Sequence, residues 1–362
     1  RYKRVNCVTN EVKYRKYKNR LNNVLAAAEK QHYSNLLLEN RDNSKKSWSI
    51  IKTIINKTKI SKSQDKFKLS DGCVTSDPGT ISNHFNDFFV NVSPQLAKKI
   101  PKQNISPQQY MGEKLCHSIY LMPCTNDEIS NIIKSLKSCS PGSDEINAKL
   151  LKISLDVIVA PLTHICNLSL QDGIFPAEMK HATVVPLYKS DDPMAFNNYR
   201  PVSLLPVLPK VFEKLMYTRF LNFLNKYQLL CKYQFGFRKL YSTCMALIMF
   251  MDKLSESLDD GKFVVGVFLD FSKAFDTVDH DILTMKLAHY GIRGNALNWF
   301  RSYLTNRTQC VSYNSTLSST KSIKCGVPQG SILGPLLFYY TLMTSLVFVN
   351  IRYHFYLLTT LA

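Results

Sequence analysis

Val267 to Asp279 reads VFLDFSKAFDTVD, and Gly326 to Pro335 reads GVPQGSILGP. The first places a carboxylate, Asp270, at the end of a β-branched and aromatic run. The second is bent by Gly and Pro, so its backbone can approach a ligand closely. A carboxylate on a rigid strand end suits a hard cation such as Mg²⁺, which prefers oxygen ligands. Two such cations transfer a phosphoryl group by activating a hydroxyl and holding the leaving group. A lone Asp at a strand end is more often a simple cap. Asp276, Asp279 and Asp281, further along the same stretch, read as helix caps and surface rather than as metal ligands.

The elements that must position these residues follow from periodicity. Phe263–Leu269 reads as a buried strand leading into Asp270. Ser242 caps a helix that ends at Gly261, and Pro209–Tyr227 is an amphipathic helix with Val211, Leu215 and Phe220 inward. Ala182–Tyr188 is a short strand, and Thr308–Ile323 a hairpin around Asn314-Ser315. Upstream, Thr125 to Glu128 fits a capping box opening a helix through Leu136, and a long helix runs on to a stop at Gly173. Ile81–Ile100 is helical, with Phe85, Phe88 and Phe89 on one stripe that reads as core. Ile60–Gly79 and Pro101–Glu113 read as linkers. In the first segment, Trp48, Ile51 and Ile55 share a helical face.

Charge is unevenly spread. Residues 1–70 hold 18 Lys and Arg against 5 Asp and Glu, so 13 of the 19 net positive charges lie there. A polyanion, nucleic acid rather than membrane, is the partner this implies. The 10 cysteines include no CxxC pair, which excludes a zinc ribbon or thioredoxin-like site. No apolar leader precedes the basic stretch, so the protein is expected in nucleus or cytoplasm, not secreted. The chain opens on Arg1, which suggests a piece of a longer product. Ile332–Val349 is uncharged and long enough on hydropathy to cross a bilayer, a reading rejected below.

Taken in order, SPGSDEINAKLLK, NYRPVSLLPVLPKVFEKLM, QFGFRK, FLDFSKAFDTVDHDIL and CGVPQGSILGPLLF resemble the reverse transcriptases of non-LTR (LINE-type) retrotransposons. ISNHFNDFFVNV adds to the likeness, which favours this group over group II intron maturases and telomerase. The resemblance implies an α+β fold: a partial right-hand polymerase, with fingers and an incomplete palm, preceded by a basic, mostly helical region. The divisions are 1–112 for the basic connector, 113–338 for fingers and partial palm, and 339–362 for a foreign tail. It implies two Mg²⁺ ions, an RNA template, a DNA primer and deoxynucleoside triphosphates, with no membrane and no protein partner. Asp270 resembles the first metal-binding carboxylate, with the backbone carbonyl of Phe271 beside it. Lys189 and Arg200 resemble the cations that clasp the triphosphate. Phe275 takes the place of the aromatic under the incoming sugar, and Gln329 and Gly330 that of the loop backing nucleotide and template.

Two departures matter. After QFGFRK the family continues with Asn- or Gly-His-Ser-Thr, where this chain has Leu240-Tyr241-Ser242-Thr243. After GPLLF the family continues with LLYINDL and later FADD, whose carboxylates complete the metal site. This chain has no Asp or Glu beyond Asp281. Reading codons from the last base of one triplet and the first two of the next, starting at Phe338, forces Leu, Leu. It then permits Tyr, Ile and Asn, and Met343-Thr344 forces Asp. The same frame permits LFADDT from Phe355 through Leu361. A frameshift after Phe338 follows, and with it an inactive polymerase whose apolar tail is an artefact. The alternatives are a non-catalytic nucleic-acid-binding remnant, or a product that does not fold stably.

Overall fold

The computed structural model describes residues 8–54, 66–69, 72–100, 106–137, 141–230, 233–266, 268 and 271–342. These divide into two compact units, parted between Asp65 and Lys66.

The first unit contains α1 (Val8–Glu39) and α2 (Ser44–Ile54). Along α1, Val12, Tyr17, Leu21, Val24 and Leu25 are all exposed among its Lys and Arg side chains. That helix is polar around its circumference and buries no stripe of its own. The turn to α2 is closed by the Asn43 side chain, which accepts from the Lys46 amide at 3.1 Å. Trp48 is exposed, and Ile55, expected on its face, lies outside the described residues.

The second unit opens with β1 (Phe67–Lys68) and β2 (Val74–Thr75), paired antiparallel, then α3 (Pro78–Lys98). Asp77 caps α3 by accepting from the Thr80 amide at 2.7 Å. Next come α4 (Asn126–Ser135), α5 (Ala148–Ile153), α6 (Leu155–Asp172), β3 (His181–Tyr188), β4 (Tyr199–Leu204) and α7 (Val207–Lys226). α8 (Thr243–Asp259), α9 (His280–His289), α10 (Asn295–Leu304), β5 (Arg307–Tyr313), β6 (Thr316–Leu317), β7 (Lys321–Ile323) and α11 (Gly334–Leu342) complete it. The mixture is α+β, as expected.

A five-stranded sheet runs β4-β3-β5-β6, with β7 also on β5. β3 pairs antiparallel with β4, placing Leu187 opposite Arg200, and parallel with β5. The β5–β6 turn has positive φ at both Asn314 and Ser315, 46° and 62°, the pattern of a tight hairpin turn. Helix α3 covers one sheet face: Phe67, Ile81, Phe85 and Phe89 pack on Val184, Tyr199 and Val311. A larger core joins α4 through α7 and α9 through α11, and includes Phe175, Phe220, Trp299 and Phe300.

Three expectations are corrected. Within the expected linker Ile60–Gly79, Phe67 is buried in a hairpin, while residues 60–65, 70 and 71 lie outside the described residues. Phe263–Leu269 forms no strand among its described residues, and Phe263, Val265 and Phe268 are exposed. A strand must exchange backbone hydrogen bonds with a neighbour, and no described segment pairs with this one. The long helix toward Gly173 is interrupted at Ser154, which ends α5 and starts α6, and Gly173 caps it at φ 67°. No described helix is long and apolar enough to cross a membrane; α11 covers Gly334–Leu342 of the apolar run, and residues 343–349 lie outside the described residues.

Candidate nucleotide site

Three sequence motifs far apart in the chain meet at one edge of the sheet. The turn Ser272–Thr277 faces the loop Gly326–Gly330 through two backbone bonds. The Gly326 amide donates to Val278 O at 2.7 Å, and the Val327 amide to Phe275 O at 2.8 Å. The loop then reaches β4, where the Ser203 amide donates to Gln329 O at 2.9 Å. Two glycines make this approach possible. A Cβ on Gly326, at φ 87°, would stand 2.8 Å from Asp276 O, and one on Gly330, at φ 111°, 2.8 Å from Ser203 O. His280 Nε2 donates to Gly326 O at 2.7 Å and closes the far end.

Charge converges on the same place. Lys189 follows β3 and is exposed, its amide donating to Asn198 O at 2.9 Å across the β3–β4 hairpin. Arg200 lies in β4 opposite Leu187. Lys273, at φ 51°, reaches back to Asn197 O and Tyr199 O, both at 3.4 Å, and stands 5.6 Å from the centre of the Phe88 ring. Burial pulls the Lys273 ammonium below its usual pKa; Asp276 opposes this, and the positive fields of Lys189 and Arg200 reinforce it. A carboxylate stands among these cations. Burial pushes Asp276 up to about 6, against the pull of Lys273 and of the Gln329 amide. Such a cluster of cations around a Gly-bent loop can hold a polyanionic group.

The residues named from sequence are thus distributed unequally. Lys189, Arg200, Gln329 and Gly330 border this site. Phe271 is exposed, its ring edge-on to Phe338 at 6.5 Å. Phe275 is buried, stacked on Phe338 at 5.0 Å and edge-on to Phe237 at 6.2 Å. Asp270 lies outside the described residues. Among the described residues no three His, Cys, Asp or Glu side chains converge as a metal site would require. The described donors therefore do not by themselves fit two Mg²⁺ ions.

Three side chains of the site escaped sequence reading. Asp276 is not a cap: its carboxylate takes the Gln329 amide at 3.1 and 3.3 Å. The cap is Asp279, which accepts from Asp281 and Ile282 amides at 2.9 Å. Lys273 lies inside the FLDFSKAFDTVD motif, where nothing in its spacing singles it out. Glu213, fully buried in α7, accepts from the Ile332 amide at 2.6 Å and so holds the end of the same loop. Its signal was present: an acid within the apolar stripe Pro209, Phe212, Met216, Phe220.

Residues 188–356 match the reverse transcriptase (RNA-dependent DNA polymerase) family, so this part of the chain is a reverse transcriptase domain. Three proteins of Drosophila melanogaster are similar to it. The RNA-directed DNA polymerase from mobile element jockey is 33% identical over 251 residues, 66% of this chain and 27% of that protein. The probable RNA-directed DNA polymerase from transposon BS is 34% identical over 230 residues, 61% of this chain and 24% of that protein. The corresponding protein of transposon X-element is 30% identical over 217 residues, again 60% of this chain and 24% of its own length. That domain is similar to the reverse transcriptases of non-LTR, LINE-type retrotransposons. The chain spans about a quarter of the length of these relatives.

Proposed function

We propose that this chain derives from an RNA-directed DNA polymerase that makes cDNA by two-metal nucleotidyl transfer, and that the chain as written does not polymerise. The single observation behind the ancestry is the meeting of β4, the Ser272–Thr277 turn and the Gly326–Gly330 loop around Lys189, Arg200 and Lys273. In this reading the sheet belongs to the fingers and the two loops to the palm. Lys189 and Arg200 clasp the triphosphate, and Gln329 and Gly330 back the nucleotide. Asp270 and the Phe271 carbonyl would be metal ligands, and Phe275 the sugar-side aromatic once the palm around it is complete. RNA template, DNA primer and deoxynucleoside triphosphates are the substrates, and Mg²⁺ the cofactor.

The frameshift after Phe338 gains support from α11. Tyr340 is fully buried, and its hydroxyl has no hydrogen-bond partner. The shifted frame forces Leu at that step, which would leave no polar atom there. Without the carboxylates that the shift removes, one Asp faces two metals, too little negative charge to hold them.

A second reading, nucleic-acid binding without catalysis, is favoured by α1, whose basic side chains are exposed on all sides. Phosphate contacts release counterions, so such binding weakens steeply with salt.

Primer extension on an RNA template with Mg²⁺ separates these readings. The chain as written should give no product, whereas the same chain carried past Phe338 in the shifted frame should extend, and lose activity on Asp270→Ala. Extension by the unaltered chain that Asp270→Ala abolishes would overturn the inactive reading. RNA affinity at physiological salt that survives deletion of residues 1–65 would exclude the basic unit as the binding element.

A further inference from the structure

The Asp276 carboxylate sits behind the Gly326–Gly330 loop, beside a cavity of about 50 Å³ lined by Ser93, Ser203, Arg307, Gln309 and Gln329. Its backbone is clamped. The Ser93 hydroxyl of α3 donates to Asp276 O, and Gly326 passes so near that a Cβ there would collide with that same oxygen. The carboxylate thus has a fixed place, and the Gln329 side chain, half-buried at its edge, is the partner that can turn.

An ionised carboxylate only accepts hydrogen bonds, whereas a primary amide has one accepting and one donating end. Both contacts run from Gln329 Nε2, at 3.1 and 3.3 Å. Turning the amide over would set its oxygen against the carboxylate oxygens. We infer that Asp276 is a positioning residue that fixes the sense of the Gln329 amide, so that Gln329 offers its oxygen to a hydrogen-bond donor of a bound nucleotide. The inference rests on the reading of Gln329 as a nucleotide-facing residue.

Protonation of Asp276 would release the constraint, because a carboxylic acid can donate to the amide oxygen and let the amide turn. The charged and titratable groups around it are Lys273 in its own turn, Cys325 in the loop and Arg307 on β5. Lys189 and Arg200 stand close enough to act on Lys273, and Asp279 on Cys325. Burial places this titration near pH 6.

The test is ¹⁵N NMR of the full chain, with the Gln329 side-chain amide assigned by its loss in Gln329→Leu. In the unaltered chain this amide should titrate with a midpoint near 6. Asp276→Asn should abolish that titration, and Asp276→Glu should keep it with a displaced midpoint. A Gln329 amide that ignores both pH and Asp276→Asn would overturn the inference; a merely structural role for Asp276 would give that result with a changed melting temperature. Thymidine triphosphate with Ca²⁺, which supports binding without turnover, should then shift the same resonance, with affinity about tenfold weaker in Asp276→Asn. If the amide titrates through Asp276 but the nucleotide moves no loop resonance, the positioning stands and the nucleotide reading of the site falls. If the nucleotide shifts an amide that Asp276 does not control, the reading stands and the positioning falls.

Discussion

Tyr303 donates its phenol to Glu213 Oε1 at 2.9 Å, deep between α10 and α7. The other oxygen of that carboxylate holds the Ile332 amide, so α7 fixes the loop that presents Gln329. Burial raises the Glu213 pKa, while the Ile332 amide, Arg307 and the Tyr303 hydroxyl pull it back. Arg307 completes the arrangement, 5.0 Å from the centre of the Tyr303 ring with Nη1 donating to Tyr303 O.

Glu213→Ala should cost on the order of 3 kcal/mol, because it strands two buried donors and opens a cavity. Glu213→Gln, which keeps an accepting oxygen and the volume, should cost roughly half as much. Urea unfolding of the two variants and the unaltered chain measures both. Equal losses would show that the carboxylate with its two accepting oxygens, not the filled volume, holds the loop.

Asp276 gives stability a pH dependence of definite sign. Its folded pKa of about 6 lies above the ordinary 3.8 of a free Asp, so the folded chain binds this proton more tightly. The group's contribution is therefore greatest below pH 4 and falls as pH rises through about 6. The full swing is at most about 3 kcal/mol, less for a group that water partly reaches. Asp276→Asn should flatten that part of the profile, gaining on the unaltered chain above pH 6 but not at pH 4. Chemical unfolding across this range provides the check.

Gly326→Ala should destabilise by roughly 2 kcal/mol. It combines a left-handed φ of 87° with a Cβ 2.8 Å from the Asp276 carbonyl oxygen. Gly261, also at positive φ but with nothing within 4 Å, serves as control and should lose only about 1 kcal/mol as Ala. Comparable losses would mean that the loop and the Asp276 turn are less tightly joined than the hydrogen bonds indicate.

Tyr340→Leu should stabilise the chain by about 1 kcal/mol, against the usual cost of changing a fully buried side chain. The hydroxyl it removes is buried and unpaired. Thermal unfolding of Tyr340→Leu beside Tyr340→Phe reads the hydroxyl separately from the ring. A loss in both variants would show that the phenol is better accommodated than its surroundings suggest.

The sequence by itself determined most of the local structure and the family of motifs. Apolar periodicity marked α7, β3 and the core stripe of α3; Thr125, Ser242 and Asn314-Ser315 marked caps and a turn, because these choices depend on neighbours only a few residues away. The motifs likewise nominated Lys189, Arg200, Gln329 and Gly330 through the resemblance they carry. What tertiary structure decided depends on residues distant in sequence. Asp276 became an anchor rather than a cap because Gln329, far along the chain, folds onto it. Glu213 became a buried clamp because α10 and the loop close around it. Phe67 left an expected linker for the core because α3 and the sheet provide its walls. Phe263–Leu269 went the other way: its apolar run reads as a buried strand, but among its described residues no partner accepts the backbone hydrogen bonds a strand requires.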